Sequence, residues 1–575
     1  MDKPWLAHYD KGVPASLKPY PELPLHVFLE QSARKHPDQV AIAFKPSHQG
    51  FAKSALSYAQ LDDLADRLAA ALAGLGVKKG DRVAIFMPNI PQFIIAFYAV
   101  LKIGAVVVAT NPTYTPREIE HQLNDSGAET IICMSRFYSI VQQTLPKTRL
   151  KNVIVTNIKE YMNPLLRVLF GLTREKKSGD RVVLAPGHVW LQDLLAKYTV
   201  AQRPRVDVGP DDRAIFQYSG GTTGVPKAAI GLHRNLVANA LQIRAWFVDV
   251  REGQEITLVA IPLFHVYGMV CGMIFSVQAA ATMVLVPNAR ELETVIDAID
   301  TYRPTIFPGV PRLYNAINNH PGIEKHDLRT IRACISGSAP LLLDIKSKFE
   351  AITGGKLVEG FGLSEAPTAT HCNPLSGLNK EGSIGLPFPD VECRLVSLDD
   401  GVTTVGLGEV GELCLRGPQV MFGYHNMPTE TANALRKDPN DPAGAPWLYT
   451  GDIARMDDDG YYYIVDRKKE LIKAGGYQVW PREIEEVIAM HPAVLEVGAA
   501  GIPDAARGGE SVKAWVVLKP GMTATEADIK KFISDKLAPY KQPRSIEFRA
   551  ELPKTLVGKV LRRVLVEEEK KKVAA

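Results

Sequence analysis

Several features that would place a chain in a simple class are missing from this sequence. The longest apolar stretch, Met269–Pro287, is interrupted by glycine and polar residues, whereas a transmembrane helix needs about 20 consecutive, mostly apolar residues. We predict that this stretch forms a buried helix, a turn near Gln278–Ala281 and a core strand over Thr282–Val286. The N-terminus shows no apolar segment behind a basic start, so we expect no secretory signal peptide.

The sequence also has few cysteines and no large excess of one sign of charge. No cysteine lies in a C-x-x-C pair, which favours reduced thiols, an intracellular location and small buried side chains over disulfides or a nucleophile. The 67 Lys and Arg residues nearly balance the 63 Asp and Glu residues, whereas a nucleic-acid binder would show a concentrated basic face. We therefore expect no nucleic-acid partner. The six cysteines are Cys133, Cys271, Cys334, Cys372, Cys393 and Cys414.

Two segments have the composition of surface features. The tail Glu567–Lys572 carries both signs of charge and is predicted to be a solvated end. Residues 161–177 mix leucine, valine and phenylalanine with basic residues, and an apolar face with basic flanks can lie on a membrane surface. A surface helix packed on its own domain is the alternative for this segment.

The chain is too long for one hydrophobic core. Its 575 residues exceed the roughly 250–300 residues at which cores stop growing, so we expect a large part and at least one smaller domain. In the large part, Ser57–Gln60 has the pattern of a capping box before a leucine-lined helix. A strand over Arg82–Met87, a helix over Phe93–Leu101 and a strand over Ala105–Ala109 follow. This alternation indicates an α/β fold.

The C-terminal part of the chain has a different texture. The charged run Asp466–Glu470 precedes a helix that starts at Pro481, a strand over Lys513–Leu518 and a helix whose apolar residues recur at helical spacing over Ile529–Leu537. Together these elements make a compact unit of about 100 residues, which is a normal domain size. We predict an N-terminal domain over residues 1–465 and a C-terminal domain over residues 466–575, with the boundary near 466–470.

The most informative segment is the loop Tyr218–Lys227. A short strand, Ala214–Tyr218, runs into glycine, serine and threonine residues and ends at Lys227. Glycine lets backbone N–H groups approach a polyphosphate, hydroxyl groups add donors, and lysine adds positive charge. A flexible surface loop is the alternative. A Walker A loop is excluded, because that motif ends in Gly-Lys-Ser/Thr whereas Pro226 precedes Lys227 and Ala228 follows it.

Together with later segments, this loop resembles the signature of the adenylate-forming superfamily, which includes acyl-CoA synthetases, luciferases and the adenylation domains of peptide synthetases. The family usually has glycine where this chain has Ala228. The overall resemblance is to bacterial long-chain fatty-acid–CoA ligases. The further segments stand in the family's order and are Pro262–Gly268, Ser336–Pro340, Glu359–Glu365, Gly411–Tyr424, Tyr449–Asp452, Asp466–Gln478 and Pro553–Lys559.

This resemblance implies a fold, a reaction and a set of partners. The implied fold is a large N-terminal domain with two sheet-based αβαβα subdomains and a small β-barrel, followed by a small mobile α+β domain. The implied reaction uses ATP to convert a fatty acid, expected to be long-chain, into acyl-AMP and pyrophosphate, and then transfers the acyl group to CoA. Mg²⁺ is the implied cofactor. We expect a cytoplasmic enzyme, peripheral contact with the cytoplasmic face of the membrane, and a homodimer.

The resemblance also implies roles for individual residues. Lys559 corresponds to the adenylation lysine, His265 lies against the acid pocket, and Glu365 with Thr222 holds Mg²⁺. The implied hinge is Lys469, and the implied CoA contacts are Lys473, Gly475 and Gly476. The implied ATP and AMP contacts are Tyr218, Ser219, Gly220, Gly221, Thr222, Thr223, Gly224, Lys227, Ser338, Ala339, Pro340, Glu359, Gly360, Phe361, Gly362, Ser364, Asp452, Ile464, Arg467, Gln478 and Lys559.

Two kinds of alternative stay open. An aryl-acid ligase of the 4-coumarate type or a medium-chain acyl-CoA ligase would share the same motifs. A non-catalytic fatty-acid or nucleotide-binding protein on this scaffold is the alternative from another class. It predicts loss of the charged residues, but Lys559, Glu365, Asp452 and Arg467 are all present.

Overall fold

The computed structural model describes residues 3–44, 54–219, 226–474, 477–504, 509–555 and 558–574. The chain divides into two compact units. Unit 1 comprises Met1–Glu392 and Arg416–Leu448, and unit 2 comprises Cys393–Leu415 and Tyr449–Ala575. The predicted domain boundary near 466–470 lies inside unit 2 and stays a prediction.

Helices and strands alternate through unit 1, which confirms the predicted α/β class. In chain order, α1–α16 are Val27–Lys35, Tyr58–Gly74, Pro91–Lys102, Pro116–Ser126, Tyr138–Thr144, Pro164–Thr173, Leu191–Lys197, His233–Trp246, Phe275–Gln278, Leu292–Tyr302, Pro311–Asn318, Leu343–Thr353, Pro428–Ala434, Pro481–Ala489, Glu526–Ile533 and Arg562–Ala574. In chain order, β1–β26 are Val40–Phe44, Ser54–Ser57, Arg82–Phe86, Val106–Thr110, Thr130–Met134, Asn152–Thr156, Val189–Trp190, Arg213–Ser219, Lys227–Leu232, Ile256–Val259, Thr282–Leu285, Ala333–Ser336, Lys356–Leu363, Ala366–Cys372, Leu386–Pro387, Glu392–Val396, Gly411–Arg416, Gly423–Tyr424, Leu435–Arg436, Trp447–Met456, Tyr462–Arg467, Ile472–Ala474, Tyr477–Val479, Val494–Asp504, Gly509–Leu518 and Ser545–Phe548.

The largest sheet of unit 1 has eight strands in the order β18-β9-β8-β4-β3-β5-β6-β7. Strands β8 through β7 in this order run parallel, whereas β9 pairs antiparallel with β8 and β18 pairs antiparallel with β9. The parallel strands are almost entirely buried, as expected for a sheet that helices cover on both faces. The loop that follows β8 leaves its carboxyl end, where open α/β sheets bind ligands.

Unit 1 contains a second system of sheets. Its two four-stranded parts have the orders β10-β11-β1-β2 and β12-β13-β14-β15. Ile306 forms parallel bridges to Thr257 of β10 and to Ala333 of β12, so the two parts are continuous through this segment. The strand predicted over Thr282–Val286 is confirmed as β11, and it follows a π-helical turn at Gly268–Ile274 and the short helix α9.

Local sequence signals account for the elements that border the site. The predicted capping box is confirmed: the Ser57 side chain accepts from the backbone of Gln60, and the Gln60 side chain accepts from the backbone of Ser57. The predicted helix after it is α2, and the predicted strand, helix and strand that follow are β3, α3 and β4. All six cysteines are buried and unbridged, which agrees with their interpretation as core side chains.

Unit 2 contains a three-stranded sheet, β24-β25-β26, packed by α14 and α15 around a core that includes Ile484, Val512 and Ile529. The predicted tail Glu567–Lys572 forms part of α16. Glu567 and Lys570–Lys572 are exposed, as predicted, but the prediction is wrong for Glu569, which is buried and lies 2.8 Å from Lys513 Nζ. Among the helices of the described residues, none has the length and apolar character to cross a bilayer.

Candidate active site

The β8–β9 hairpin positions the predicted phosphate loop. Ser219 pairs with Lys227, and Tyr218 pairs with Ala228, so the predicted strand before the loop is confirmed and Lys227 begins the return strand. Ala228 is fully buried at this pairing. Five of the predicted ATP contacts lie outside the described residues: Gly220, Gly221, Thr222, Thr223 and Gly224. Thr222 is also one of the two predicted metal ligands, and the other is Glu365.

Tyr424 brings the predicted cation and the predicted metal ligand together. Because β18 pairs with β9, the Tyr424 ring lies beside Lys227, with 5.3 Å from the ammonium nitrogen to the ring centroid. Its phenol donates to Glu365 Oε1 at 2.8 Å. Burial, and then the Glu365 charge, raise the pKa of Tyr424, so the phenol stays a donor at neutral pH.

Glu365 lies in the turn between β13 and β14. Its backbone carbonyl accepts from the N–H of Met421 at 2.8 Å, which fixes the turn next to β18. Within the described residues, Oε2 of Glu365 has no hydrogen-bond partner, whereas Oε1 accepts from Tyr424. A half-buried carboxylate with one oxygen in use and one left over fits a hard cation such as Mg²⁺, which takes oxygen ligands.

Asp125 is a site neighbour that sequence reasoning missed. Tyr218 Oη donates to Asp125 Oδ2 at 2.6 Å, and this bond joins the end of β8 to helix α4. Burial, with the Asp125 carboxylate, raises the pKa of Tyr218. The hydrogen bond therefore holds a neutral phenol at the start of the phosphate loop. No local motif surrounds Asp125, and the contact spans 93 residues of sequence.

The segment before His265 is clamped by Asn89. The Asn89 amide donates to the carbonyls of Val259 and Ile261, both at 3.0 Å, and its oxygen accepts from the N–H of Leu263 at 2.8 Å. All three bonds are buried, so the chain that leads from β10 to His265 has one fixed path.

His265 is a neutral side chain in this structure. Its Nδ1 accepts from the backbone N–H of Tyr267 at 3.2 Å, which places the remaining proton on Nε2. Burial lowers the pKa of His265 to about 4. At physiological pH the imidazole can therefore donate a hydrogen bond to a carboxylate, but it supplies no positive charge.

Tyr267 connects the His265 segment to the turn that carries the predicted ATP and AMP contacts Ser338–Pro340. Its phenol oxygen lies 2.7 Å from the carbonyl oxygen of Ile335 at the end of β12. A Cβ on Gly337 would lie 3.2 Å from the Tyr267 ring, so the turn packs directly on the tyrosine. The next residue, Ser338, has a positive φ of 71° and is exposed, as is Pro340, while Ala339 is half-buried.

The Glu359–Ser364 segment has a structural role of its own. Glu359 is buried, and its Oε2 accepts from the N–H of Leu341 at 3.2 Å, which closes the turn after Ser338. A Cβ on Gly362 would lie 1.5 Å from the carbonyl oxygen of Thr368. Only glycine fits there, whether or not ATP is bound. Gly360, Phe361 and Ser364 are half-buried along the same strand and turn.

Two of the predicted ATP and AMP contacts, Asp452 and Arg467, face each other in unit 2. Asp452 of β20 stands opposite Arg467 of β21, and Arg467 Nε lies 3.0 Å from Asp452 Oδ1. The Asp452 side chain is only 5% exposed, against 40% for Arg467. Ile464, on the same strand as Arg467, pairs with Ala454 and is half-buried.

Lys559 lies in a short closed loop of unit 2. Its backbone N–H donates to Thr555 Oγ1 at 3.1 Å, and its carbonyl accepts from the Thr555 N–H at 2.8 Å. Burial, and then the charge of Arg467, lower the pKa of Lys559 to about 8, whereas Asp452 and Asp466 act in the opposite direction. The structure therefore brings Lys559 into the electrostatic range of the Asp452–Arg467 pair.

The predicted hinge residue lies between two different ion pairs. Lys468 Nζ lies 2.7 Å from Glu412 Oε2, and Glu470 forms an ion pair with Arg562. Lys469, between them, is exposed. The chain is therefore held by Glu412 just before Lys469 and by Arg562 just after it.

The predicted CoA face is described only in part. Lys473 is exposed, and its N–H donates to Glu510 Oε2 at 2.9 Å. Its backbone pairs with Gln478 in the β22–β23 hairpin. Gly475, Gly476 and the side chain of Gln478 lie outside the described residues.

A cluster around Arg562 is the largest feature that sequence reasoning missed. Arg562 donates to Glu485 through Nε at 2.8 Å and through Nη2 at 2.5 Å, and to Asp466 at 3.2 Å. Asp466 also accepts from the backbone N–H of Arg482 at 2.6 Å. Arg562 is separated from these carboxylates by 77 and 96 residues of sequence, so one sequence alone offered no signal for the cluster.

Known proteins are similar to this chain along most of its length. The family model described as "AMP-binding enzyme" matches residues 29–425, and the model of its C-terminal domain matches residues 483–559. The chain is 43% identical over 570 residues to a long-chain-fatty-acid–CoA ligase of Bacillus subtilis strain 168, covering 99% of this chain and 98% of the relative. It is 37% identical over 577 residues to the enzyme of the same name from Escherichia coli O157:H7, covering 100% and 99%.

A solved structure extends the likeness to three dimensions. The anthranilate CoA ligase AuaEII in complex with anthranoyl-AMP matches with a TM-score of 0.82 and 26% identity, covering 96% of this chain and 98% of that chain. The family motifs, the paired site residues and the full-length relatives thus agree. The chain belongs to the AMP-binding enzyme family and is an AMP-forming acid–CoA ligase of the adenylate-forming superfamily.

Proposed function

We propose that the enzyme activates a long-chain fatty acid with ATP and transfers the acyl group to CoA. The observation that carries this proposal is the full-length similarity to ligases that are named for long-chain fatty acids. In the first step the carboxylate attacks the α-phosphorus of ATP, giving acyl-AMP and pyrophosphate. In the second step the CoA thiol attacks the acyl carbon, and AMP leaves.

The unit 1 residues suit the polyphosphate end of this reaction. Lys227 supplies positive charge at the start of β9, and Glu365 with Thr222 would hold Mg²⁺, which neutralises phosphate charge when it is bound. His265, as a neutral Nε2–H donor, would orient the acid carboxylate without lowering its nucleophilicity through a full charge. Ser338–Pro340 and Phe361 would border adenine.

The unit 2 residues suit the ribose and α-phosphate end of the adenylation step. Asp452 would accept the ribose hydroxyls and Arg467 would hold the same sugar. Lys559 would bridge the carboxylate and α-phosphate oxygens, where a cation stabilises the charge that develops in the transition state. Its lowered pKa follows from burial next to another cation, and bound ATP would favour the protonated form.

We further propose that Lys469 is the hinge between the two half-reactions. The ion-pair partners on its two sides support this, since Lys468 is held by Glu412 and Glu470 is held by Arg562. A rotation there would withdraw the Lys559 loop and present the Lys473–Gly476 face for thiolation. Such a motion is a gating step of the kind that ligases use between chemical steps.

Separate assays of the two half-reactions test these roles. Lys559→Ala should abolish pyrophosphate release from acid and ATP while it spares CoA transfer from supplied acyl-AMP. Lys554→Ala is the matched control, because Lys554 lies on the same loop but pairs with Glu496. Equal loss of both half-reactions in Lys559→Ala would refute the assigned role.

A screen of acids tests the substrate class. Pyrophosphate release should be fastest with long saturated acids, slower with medium-chain acids and slowest with 4-coumarate or anthranilate. The structural likeness to an anthranilate ligase is the reason to include aryl acids, and a preference for them would overturn the long-chain proposal. A non-catalytic binding protein would release no pyrophosphate with any acid.

We also propose a cytoplasmic location with peripheral contact to the cytoplasmic face of the membrane, because long-chain acids partition into lipid. Homodimer formation is proposed separately. Sedimentation equilibrium tests the homodimer, and fractionation with added vesicles tests the membrane contact.

A further inference from the structure

Helix α6 (Pro164–Thr173) turns a row of apolar side chains towards solvent. None of its ten residues is buried. Its most exposed apolar side chains have positions i, i+3, i+4 and i+7, which is the stripe that normally faces a core. They are Leu165, Val168, Leu169 and Leu172, with exposed fractions of 68%, 59%, 46% and 79%.

The segment that carries this helix is firmly anchored. Asn163 caps the helix through its side-chain oxygen, which accepts from the N–H of Leu165 at 3.0 Å. Just after the helix, buried Glu175 accepts from the Asn157 amide at 3.0 Å. Asp180, whose side chain is fully buried, pairs with Arg136 at 2.8 Å. The exposed apolar stripe therefore belongs to a helix whose flanking segments are held by hydrogen bonds and an ion pair.

The charge around the stripe has one sign. Both carboxylates between residues 164 and 187, Glu175 and Asp180, are buried in the anchor. The exposed charged residues in the same span are all basic: Arg167, Arg174, Lys176, Lys177 and Arg181. Among them Arg167 pairs with Glu160 at 2.6 Å and Arg181 pairs with Glu175 at 3.5 Å. The surface around α6 thus combines exposed aliphatic side chains with exposed cations.

We propose that α6 is the surface with which this enzyme lies on an anionic lipid bilayer. In this arrangement the stripe enters the boundary between headgroups and acyl chains, and the cations of residues 174–181 meet lipid phosphates. A second copy of the chain is a poorer occupant, because a symmetric contact places each patch against itself and would bring these cations together. The inference rests on the proposed peripheral membrane contact and names the surface that makes it.

Vesicle co-sedimentation with two sets of variants tests the proposal. Wild type should bind vesicles rich in phosphatidylglycerol and bind phosphatidylcholine vesicles much more weakly. The triple variant Leu165→Ser, Leu169→Ser, Leu172→Ser should lose binding about tenfold or more, because each leucine that leaves the interface removes several buried CH₂ groups. The variant Arg174→Gln, Lys176→Gln, Lys177→Gln should lose binding mainly at low salt.

The matched control is Lys147→Gln with Lys151→Gln, two exposed lysines of unit 1 with exposed side-chain fractions of 66% and 69%. This control should bind vesicles like wild type. All variants should keep wild-type pyrophosphate release with octanoate, a soluble acid, so that failure of the membrane surface is distinguished from failure of the ligase function. If the serine variant does not fold, vesicle binding by the glutamine variant at low salt still tests the proposal.

Three results would overturn the proposal. The first is equal binding of wild type and both α6 variants to anionic vesicles. The second is no binding by wild type. The third is a dimer of the wild type that the serine variant converts to monomer with no change in vesicle binding, which would make α6 a contact between copies of the chain.

Discussion

Tyr424 donates its phenol proton to Glu365 across 2.8 Å while its ring lies beside Lys227. One tyrosine thereby touches both the proposed Mg²⁺ ligand and a cation of the phosphate hairpin. We expect Tyr424→Phe to lower kcat/KM for ATP about tenfold, because a hydrogen bond to a charged group contributes about 1.5–3 kcal/mol. Pyrophosphate release at varied ATP and Mg²⁺ concentrations measures the effect.

Tyr20→Phe is the matched control for this variant. Tyr20 also donates to a carboxylate, Asp390, at 2.8 Å, and burial raises its pKa as well. Both variants should show a similar decrease in thermal stability, but only Tyr424→Phe should slow adenylation. An equal loss of activity in the two variants would mean that the effect is one of stability alone.

The adenylation step should lose activity in mild base. Because the pKa of Lys559 is about 8, the charged amine becomes the minor form above that pH, and kcat/KM for adenylation should fall about tenfold per further pH unit. Thiolation of supplied acyl-AMP should lack this limb. In Lys559→Arg the limb should move beyond the measured range, since guanidinium keeps its proton; an unchanged limb would assign it to another group.

Buried histidines should make unit 1 sensitive to acid. Burial lowers the pKa of His26 and of His233 to about 3 and that of His265 to about 4. At pH values between these pKa values and the pKa of about 6.5 in the unfolded chain, the unfolded chain binds more protons than the folded chain. The free energy of unfolding therefore keeps its full value, with respect to these histidines, above pH 6.5 and falls as the pH decreases below it. Each group contributes up to about 1.4 kcal/mol per pH unit.

Urea unfolding between pH 4.5 and 7 measures this dependence. His233→Gln should flatten the slope by the share of one histidine, because an amide can accept from the N–H of Leu25, as Nδ1 of His233 does at 3.0 Å, but does not titrate. A slope that His233→Gln leaves unchanged would exclude this residue as a source of the acid sensitivity.

Arg562→Ala should destabilise unit 2 by about 3–5 kcal/mol, because it leaves Glu485 and Asp466 without their cation in a mostly buried site. The neighbouring Arg563→Ala is the control. Arg563 is 57% exposed and pairs with Glu567 only at 3.5 Å, so its loss should change stability by less than about 1 kcal/mol. Denaturant titration of both variants checks the difference, and equal values would contradict the role of the cluster.

The fold could be predicted where local rules decide it. The capping box at Ser57, the apolar strand β4 and the strand that leads into the loop before Lys227 each follow from a few neighbouring residues. The helix predicted around Ile529 was right in place but too long: α15 ends at Ile533, although Leu537 is still buried in the same core. Burial thus continued past the end of the helix, which helical spacing alone cannot show.

The candidate site could be predicted only where a contiguous motif marks it. Asp452, Arg467 and Glu365 lie inside such motifs, and the structure gives them mutual or nearby partners. Asp125 and Arg562 do not, because their hydrogen-bond partners are 93 and 77 or more residues away. The tail shows the same limit, since Glu569 pairs with Lys513 of β25 and Lys572 pairs with Glu547 of β26, and neither partner can be inferred from the charges of the tail alone.

Asp466 precedes Lys469 in the chain, yet it accepts from the N–H of Arg482 at 2.6 Å and from Arg562 at 3.2 Å, both of which follow Lys469. A backbone rotation at Lys469 would leave the Lys468–Glu412 and Glu470–Arg562 pairs whole and would break only these bonds of Asp466 within this group of ion pairs. On the proposal that Lys469 is the hinge, Asp466 would act as a latch. The strength of its two bonds would then set how long the enzyme stays in the adenylating conformation before each turnover releases it.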